Sequence, residues 1–264
     1  MDDKEIKLRE YIVSLGRVAV AFSGGVDSTY LLSVAAEMLG DNAVAITSDS
    51  PALPGRELDD AKRVARHIGA RHIILTTDEI IEQVRINSPD RCYHCKKHEF
   101  TKIISRAADE GITTILDGSN ADDTGDYRPG MKATDELGVI SPLLKFGITK
   151  NDIRRYSEER SLPVWDKPAY ACLYSRIPYG RSLDRNELKR VELSEEFLIS
   201  KGFRNCRVRC HGEVARIELL PADIETITSL PLREETAVRL RELGFRYITV
   251  DIEGYRTGSL NEVL

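Results

Sequence analysis

Long hydrophobic runs are missing from this chain. None of the apolar stretches in its 264 residues approaches the roughly 18–20 that a membrane-spanning helix needs, which argues against a helical membrane protein. A secretion signal is missing too: the opening "MDDKEIKLREYIVSLG" is charged and amphipathic and holds no apolar core, so the expected location is the cytoplasm. Excess positive charge is lacking. A formal net charge of −5 argues against a surface given over to nucleic acid. There is no internal repeat or low-complexity segment. Cysteine is sparse: five residues, at 92, 95, 172, 206 and 210, an odd number in a chain too large to need covalent staples. In a reducing compartment they are expected as ligands, nucleophiles or core residues rather than disulfides. What remains is 41% hydrophobic and 31% charged, the balance of a soluble globular protein with one large domain or two smaller ones.

The first two-thirds alternates β-branched runs with helical patterns. "RVAVAF" (17–22), "NAVAIT" (42–47), "ARHIILT" (70–76) and "TTILDGS" (113–119) read as strands. Helices are expected from Ser28 to Leu39, over 55–69, from Lys96 to Asp109 and over 149–161, the last with Thr149 as N-cap and Asp152 at N3. Strands separated by helices predict a doubly wound, mostly parallel α/β sheet, with ligands bound beyond the carboxyl ends of its strands. From about Val164 the rhythm breaks. "DKPAYACLYSRIPYGR" (166–181) is a long irregular segment of the kind that carries function. A helix near 184–201, a hairpin over 206–219, a helix near 232–243 and a strand over 246–252 follow. The expected domains are residues 1–165 and a smaller α+β domain over 166–264.

The strongest local signal is "VAFSGGVDSTYLL" (20–32). A buried strand runs into Ser23, Gly24 and Gly25, and a helix opens at Val26, Asp27 and Ser28. Glycines let the backbone approach an anion, successive N–H groups face it, and the helix N-terminus and the two hydroxyls add donors. No lysine follows the glycines, so this is not the lysine-bearing P-loop, and the Gly-x-Gly-x-x-Gly of dinucleotide sites is absent. The Ser-Gly-Gly-x-Asp-Ser pattern resembles the pyrophosphate loop of the N-type ATP pyrophosphatases (the PP-loop, adenine nucleotide alpha hydrolase-like fold). The resemblance implies ATP cleaved between its α and β phosphates, Mg²⁺ held by Asp27, and adenine near "TSDSP" (47–51), with Asp49 as a contact. "DGSNADD" (117–123), which includes Asp123, ends the fourth strand on the same edge and is either a nucleotide-facing loop or a plain turn. No glutaminase domain is visible, so an amidating role is disfavoured, whereas sulfur transfer has thiols to work with.

"DRCYHCK" places Cys92 and Cys95 three apart, and Cys172 lies in "ACLYSRIPYG". Together with the pyrophosphate loop, "RVRCHGEVARIE" and "GYRTGSLN", these segments resemble the LarE family, the ATP-dependent sulfur transferases of nickel-pincer cofactor synthesis, over nearly the whole chain. The resemblance implies adenylation of a carboxylate of pyridinium-3,5-biscarboxylic acid mononucleotide and its replacement by a thiocarboxylate. It also implies a sulfide source and a homo-oligomer. Cysteines at all three positions imply a 4Fe–4S cluster on Cys92, Cys95 and Cys172, its fourth iron open. Two other readings stay open: Cys172 as a sacrificial sulfur donor that ends as dehydroalanine, and a zinc or thiol-redox site. His98 suits zinc better than His94, which lies between the two cysteines. Lys96 and Lys97 could hold ATP phosphates or lower thiol pKa values.

In "CRVRC" the strand period sends Cys206, Val208 and Cys210 to one face, expected as core, and Arg207 and Arg209 to the other. The arginine pair suits a phosphate or carboxylate, and Arg176 could aim the same way. The family resemblance implies that Arg207 and Arg209 bind the substrate phosphate, with Ser175 and Glu218 nearby. The segment 254–259 is expected to close the second domain or an oligomer contact. Two further classes remain: a tRNA-thiolating enzyme, for which the acidic balance is unfavourable, and a non-catalytic metal-binding module, which leaves the phosphate loop unexplained.

Overall fold

Each of the four β-branched runs forms a strand: β1 (Val18–Ala21), β2 (Ala43–Asp49), β3 (Arg71–Thr76) and β4 (Thr114–Leu116). In this computed structural model, which describes residues 2–125, 129–168 and 172–256, they pair in parallel in the order β3-β2-β1-β4. The chain builds outward from β1 to β3 and then returns to place β4 on the other side of β1. That reversal is the topological switch point at which doubly wound sheets bind ligands.

Both sheet faces are covered, which is why the strands read as near-continuous apolar runs. Val18, Val20, Ala43 and Ala45 share a core with Leu8, Ile12, Tyr30, Leu31, Val64 and Ile153. Ala19, Val44 and Ile46 pack on the opposite face with Phe100, Ile103 and Ala107. The helices Asp3–Leu15, Val26–Leu39, Gly55–Ile68 and Lys150–Glu159 serve the first face, and Arg91–Asp109 serves the second. Thr149 and Asp152 form the expected reciprocal capping box.

The helix expected from Lys96 begins at Arg91, so Cys92 and Cys95 both lie in its first turns. Its N-cap Asp90 makes no side-chain capping bond, and without that signature the start was not readable. Short helices at Glu82–Arg85, Pro129–Glu136 and Pro142–Lys145 were also unanticipated, being too brief to show a period. Among the described residues no helix is long and apolar enough to cross a membrane.

The chain divides into two compact units, Met1–Glu79 with Asp90–Tyr170, and Ile80–Pro89 with Ala171–Leu264. Relative to a boundary at 165/166, the notable feature is the ten-residue loan of 80–89 to the second unit. Within that unit the Asn87 side-chain amide donates to the carbonyls of Ile177, Pro178 and Arg181 at 3.3, 2.8 and 3.1 Å, and Gly180 N donates to Asn87 O at 2.9 Å. Asn87 is fully buried and takes φ +58, a left-handed conformation that asparagine tolerates better than most residues. Backbone carbonyls leave no trace in a hydrophobic pattern, so this attachment was invisible in the sequence.

The second unit holds the hairpin β5 (Arg207–His211) and β6 (Val214–Glu218), and β7 (Tyr247–Val250) lies parallel to β6. The helix Arg185–Ser200 packs on β5 and the helix Leu232–Glu242 on β7. Cys206, Val208 and Cys210 are fully buried, as the strand period implied. Arg207 and Arg209, assigned to the opposite face, are also buried, at 4% and 6% exposure, Arg209 against Glu218 and Arg207 against the Tyr255 ring.

Candidate active site

The pyrophosphate loop sits at the carboxyl end of β1. Gly24 has φ +70, and a Cβ there would lie 2.8 Å from Ala61 Cα, so only glycine fits this turn. Ser23 Oγ lies 3.2 Å from Ser28 Oγ, Ser28 Oγ donates to Gly25 O at 3.3 Å, and Gly25 N donates to Ser23 Oγ at 3.3 Å. The two hydroxyls thus brace the loop across the first turn of the Val26–Leu39 helix. The 117–123 loop closes on it from β4: a Cβ on Gly118 would lie 2.9 Å from Ser28 N. Asp117 is buried and accepts from Ser119 N, Ser119 Oγ and Ser141 Oγ at 3.2, 2.8 and 2.7 Å, which fixes that loop. Ser23, Gly24, Gly25, Asp27, Ser28 and the Asp117 loop therefore meet at the β1/β4 switch point. Asp49 ends β2 on the same edge, where its carboxylate accepts from Thr76 Oγ1 at 3.4 Å.

Asp27 does not stand open. Lys150 Nζ contacts both of its oxygens, at 2.7 and 2.6 Å. Burial pushes the Asp27 carboxyl above its usual range, the Lys150 ammonium opposes that shift, and the neighbouring Asp123 charge adds to it. Two carboxylates and one lysine at a helix N-terminus make a site whose anionic side suits a hard divalent cation and whose cation suits phosphate. Lys150 was missed in the sequence. Its signal was available: a lysine in the first turn of a helix, directly after the N-cap, opposes the helix dipole and so needs a local anion. Its own backbone N–H is taken by Asp122 Oδ2 at 2.8 Å.

Cys92 and Cys95 are half-buried residues of the first unit, three apart on the Arg91–Asp109 helix and so on one face of it. Arg91 directs a guanidinium nitrogen to Cys92 Sγ at 3.8 Å. His94 pairs with Asp90 at 3.2 Å, and His98 Nε2 lies 4.0 Å from Glu79. Lys97 is taken up by Glu136 and the Tyr93 hydroxyl at 3.0 and 2.8 Å, and Lys96 lies over the Phe100 ring. Among the described residues no group of three or more His, Cys, Asp or Glu side chains is arranged to hold a metal ion.

Cys172 is an exposed residue of the second unit, just before the short turn Leu173–Arg176. Of the 166–181 segment, 169–171 lie outside the described residues, as do 257–259 of the 254–259 segment. The arginines are not arranged as an open phosphate clamp. Arg176 is fully buried and bidentate on Glu195. Arg209 is bidentate on Glu218 at 2.9 and 2.8 Å and donates to Ser175 O at 2.7 Å. Arg207 donates to Cys206 O at 2.8 Å and lies over the Tyr255 ring. Glu195, absent from the sequence reading, is the anion that organises Arg176.

The asparagine synthase family matches residues 8–125, the stretch that holds the pyrophosphate loop. A pyridinium-3,5-bisthiocarboxylic acid mononucleotide synthase of Lactiplantibacillus plantarum is 38% identical over 263 residues, covering 99% of this chain and 95% of its own length. The chain belongs to the LarE family of ATP-dependent sulfurtransferases. An uncharacterized Synechocystis protein is 41% identical over 265 residues, covering 100% of this chain and 99% of its own. A tRNA-specific 2-thiouridylase of Rickettsia felis is 25% identical over 188 residues, covering 57% of this chain and 52% of its own. Full-length similarity thus includes the Lactiplantibacillus plantarum synthase, and the likeness to the tRNA enzyme is partial.

Proposed function

We propose that the chain converts a carboxylate of pyridinium-3,5-biscarboxylic acid mononucleotide to a thiocarboxylate at the expense of ATP. The observation that carries this reading is the full-length similarity to the Lactiplantibacillus plantarum synthase, and the braced loop at the β1/β4 switch point supports it. The substrate carboxylate attacks the α-phosphorus, the α–β bond breaks, and pyrophosphate leaves from the nest at Ser23–Ser28. The resulting acyl-adenylate has AMP as a good leaving group, so a sulfur nucleophile adds at the carbonyl and the bond to AMP breaks.

Asp27 would hold Mg²⁺, which neutralises charge building on the departing pyrophosphate. Burial and, to a smaller extent, the Asp123 charge raise its carboxyl, which fits a site where a cation would be bound. Lys150 then exchanges the Asp27 oxygens for phosphate oxygens and stabilises the same charge. Asp49 contacts the adenine side of the nucleotide. For Arg207 and Arg209 to bind the substrate's phosphate, these buried side chains would exchange their present Cys206, Glu218 and Ser175 partners for it.

Cys92, Cys95 and Cys172 would hold a 4Fe–4S cluster, which would supply the sulfide for transfer. Two thiols on one helix face and a third that is exposed are a soft donor set suited to iron and sulfide rather than to hard cations. The exposure of Cys172 favours one second reading, in which its own sulfur is transferred and dehydroalanine remains. One experiment separates the two. The chain is purified without oxygen, iron and acid-labile sulfide are assayed, and the chain is weighed after turnover. The cluster route expects bound iron, an unchanged mass and more than one thiocarboxylate per chain, with loss of multiple turnover in Cys92→Ala. Absence of anaerobic iron together with a Cys172 that has lost the elements of hydrogen sulfide favours the sacrificial route. AMP formation without any thiocarboxylate would contradict both.

A further inference from the structure

The turn that carries Cys172 is held from beneath by a buried ion pair. We propose that Arg176 and Glu195 are positioning residues that fix Cys172 for sulfur transfer, Arg176 making no contact with substrate; the proposal rests on Cys172 being the thiol of that reaction. Arg176 is 0% exposed and Glu195 1%. Arg176 Nε and Nη2 lie on the Glu195 carboxylate at 2.8 and 3.0 Å, and its remaining nitrogen, Nη1, reaches Cys172 O at 3.2 Å and Ser175 Oγ at 2.9 Å. Ser175 Oγ also donates to Cys172 O at 2.8 Å. Glu195 Oε1 accepts from Val208 N at 2.9 Å, so one carboxylate ties the turn, the Arg185–Ser200 helix and β5 together. Arg209, itself fixed by Glu218, holds Ser175 O at 2.7 Å. Two guanidinium groups therefore grip the backbone carbonyls at both ends of the turn, while the thiol at its start stays exposed.

Well-packed apolar residues could support such a turn at least as stably as a buried pair, which must offset its own desolvation. What a planar, bidentate guanidinium adds is direction: once two of its nitrogens are fixed on Glu195, the third points one way. A rigid base beneath an exposed reactive group is the arrangement that group transfer requires, because small misplacements of the reacting atom are costly. Arg176 is spent on this task and is enclosed within the unit, so the substrate phosphate falls to other groups.

The test uses the full chain and the variants Arg176→Lys and Glu195→Gln, with two readouts. The first is the alkylation rate of Cys172 by iodoacetamide, followed by peptide mass mapping; continued protection of the buried Cys206 and Cys210 reports an intact fold in the same experiment. The second is thiocarboxylate formed per AMP released. Both variants are expected to change the Cys172 alkylation rate at least ~3-fold and to lower thiocarboxylate per AMP at least ~10-fold, with AMP release within ~2-fold of the parent. An unchanged Cys172 rate in a variant whose Cys206 and Cys210 stay protected overturns the proposal. So does a parallel fall of AMP release and thiocarboxylate, which marks a binding role. Glu195→Gln keeps the shape of the site and carries the test if Arg176→Lys exposes the buried thiols. Should Cys172→Ala retain full thiocarboxylate formation, the functional reading fails, while the alkylation arm still decides whether the pair positions the turn.

Discussion

At the scale of single residues, the decisive contact is Lys150 on Asp27. The proposed Mg²⁺ would compete with Lys150 for the same two oxygens, so removing the lysine should help the metal and harm the chemistry. In Lys150→Met, pyrophosphate release measured against Mg²⁺ concentration is expected to show a lower half-saturation point and a turnover reduced by ~10²-fold, the loss typical of one stabilising cation or donor. An unchanged turnover would reduce Lys150 to a counter-charge for Asp27. The loop residues themselves were legible, because glycine at φ +70 and paired hydroxyls beside a strand have few other uses. For Lys150 the place just after the N-cap signalled a local anion, but not which one, since Asp27 lies 123 positions away in the chain and no local pattern links them. Glu195 escaped for the same reason. It sits on an ordinary-looking helix, and only the fold shows that its carboxylate is buried against Arg176.

At the scale of elements, one carboxylate joins three helices of the first unit. Glu37 on Val26–Leu39 pairs with Arg9 of Asp3–Leu15 and with Arg160, which caps Lys150–Glu159. Hydrogen bonds from Arg9, then from Arg160, outweigh burial and hold Glu37 at about 2, below its ordinary 4.5. A depressed carboxylate stabilises the fold above the unfolded value, and that contribution is lost as pH falls from 4.5 through about 2. Glu37 is 45% exposed, so solvent screening limits the effect to about 0.5–1 kcal/mol. Glu37→Gln is expected to show that deficit in urea unfolding at neutral pH and none near pH 2. A deficit independent of pH would mean packing rather than charge.

Asn87 is the counterpart in the second unit. Asn87→Ala leaves three carbonyls without their amide donor and puts a Cβ-branched-free but still chiral residue at φ +58, so a loss of about 2–3 kcal/mol is expected in the same assay. Asn87→Gly relieves the backbone conformation and keeps most of that loss. Recovery to parental stability in the glycine variant would assign the effect to the backbone alone. Strand-length apolar runs and the Thr149 capping box were readable because each is a local pattern. The 80–89 segment was not, because it is held by backbone groups that every sequence shares.

At the scale of the whole molecule, two compact units divide the proposed reaction. The first carries the nucleotide loop with Asp27 and Lys150, and the second carries Cys172 on its clamped turn. The order β3-β2-β1-β4 puts the loop at the one place where the sheet reverses. The α/β architecture with a smaller α+β unit was legible from the alternation of runs and its break near Val164, because each unit has its own periodicity. The segregation of charge was less so: alternation in "CRVRC" implied an open arginine face, and the fold buries it instead, Arg209 against Glu218 and Arg207 against the Tyr255 ring.

Activation of a carboxylate by the α-phosphate of ATP is the central claim, and it leaves an atomic record. The substrate is prepared with ¹⁸O in its carboxylates and turned over with Mg·ATP, and the AMP is analysed by mass spectrometry. The account predicts one ¹⁸O in each AMP, unlabelled pyrophosphate, and a thiocarboxylate that has lost one labelled oxygen. AMP without label, or ADP in its place, would contradict it.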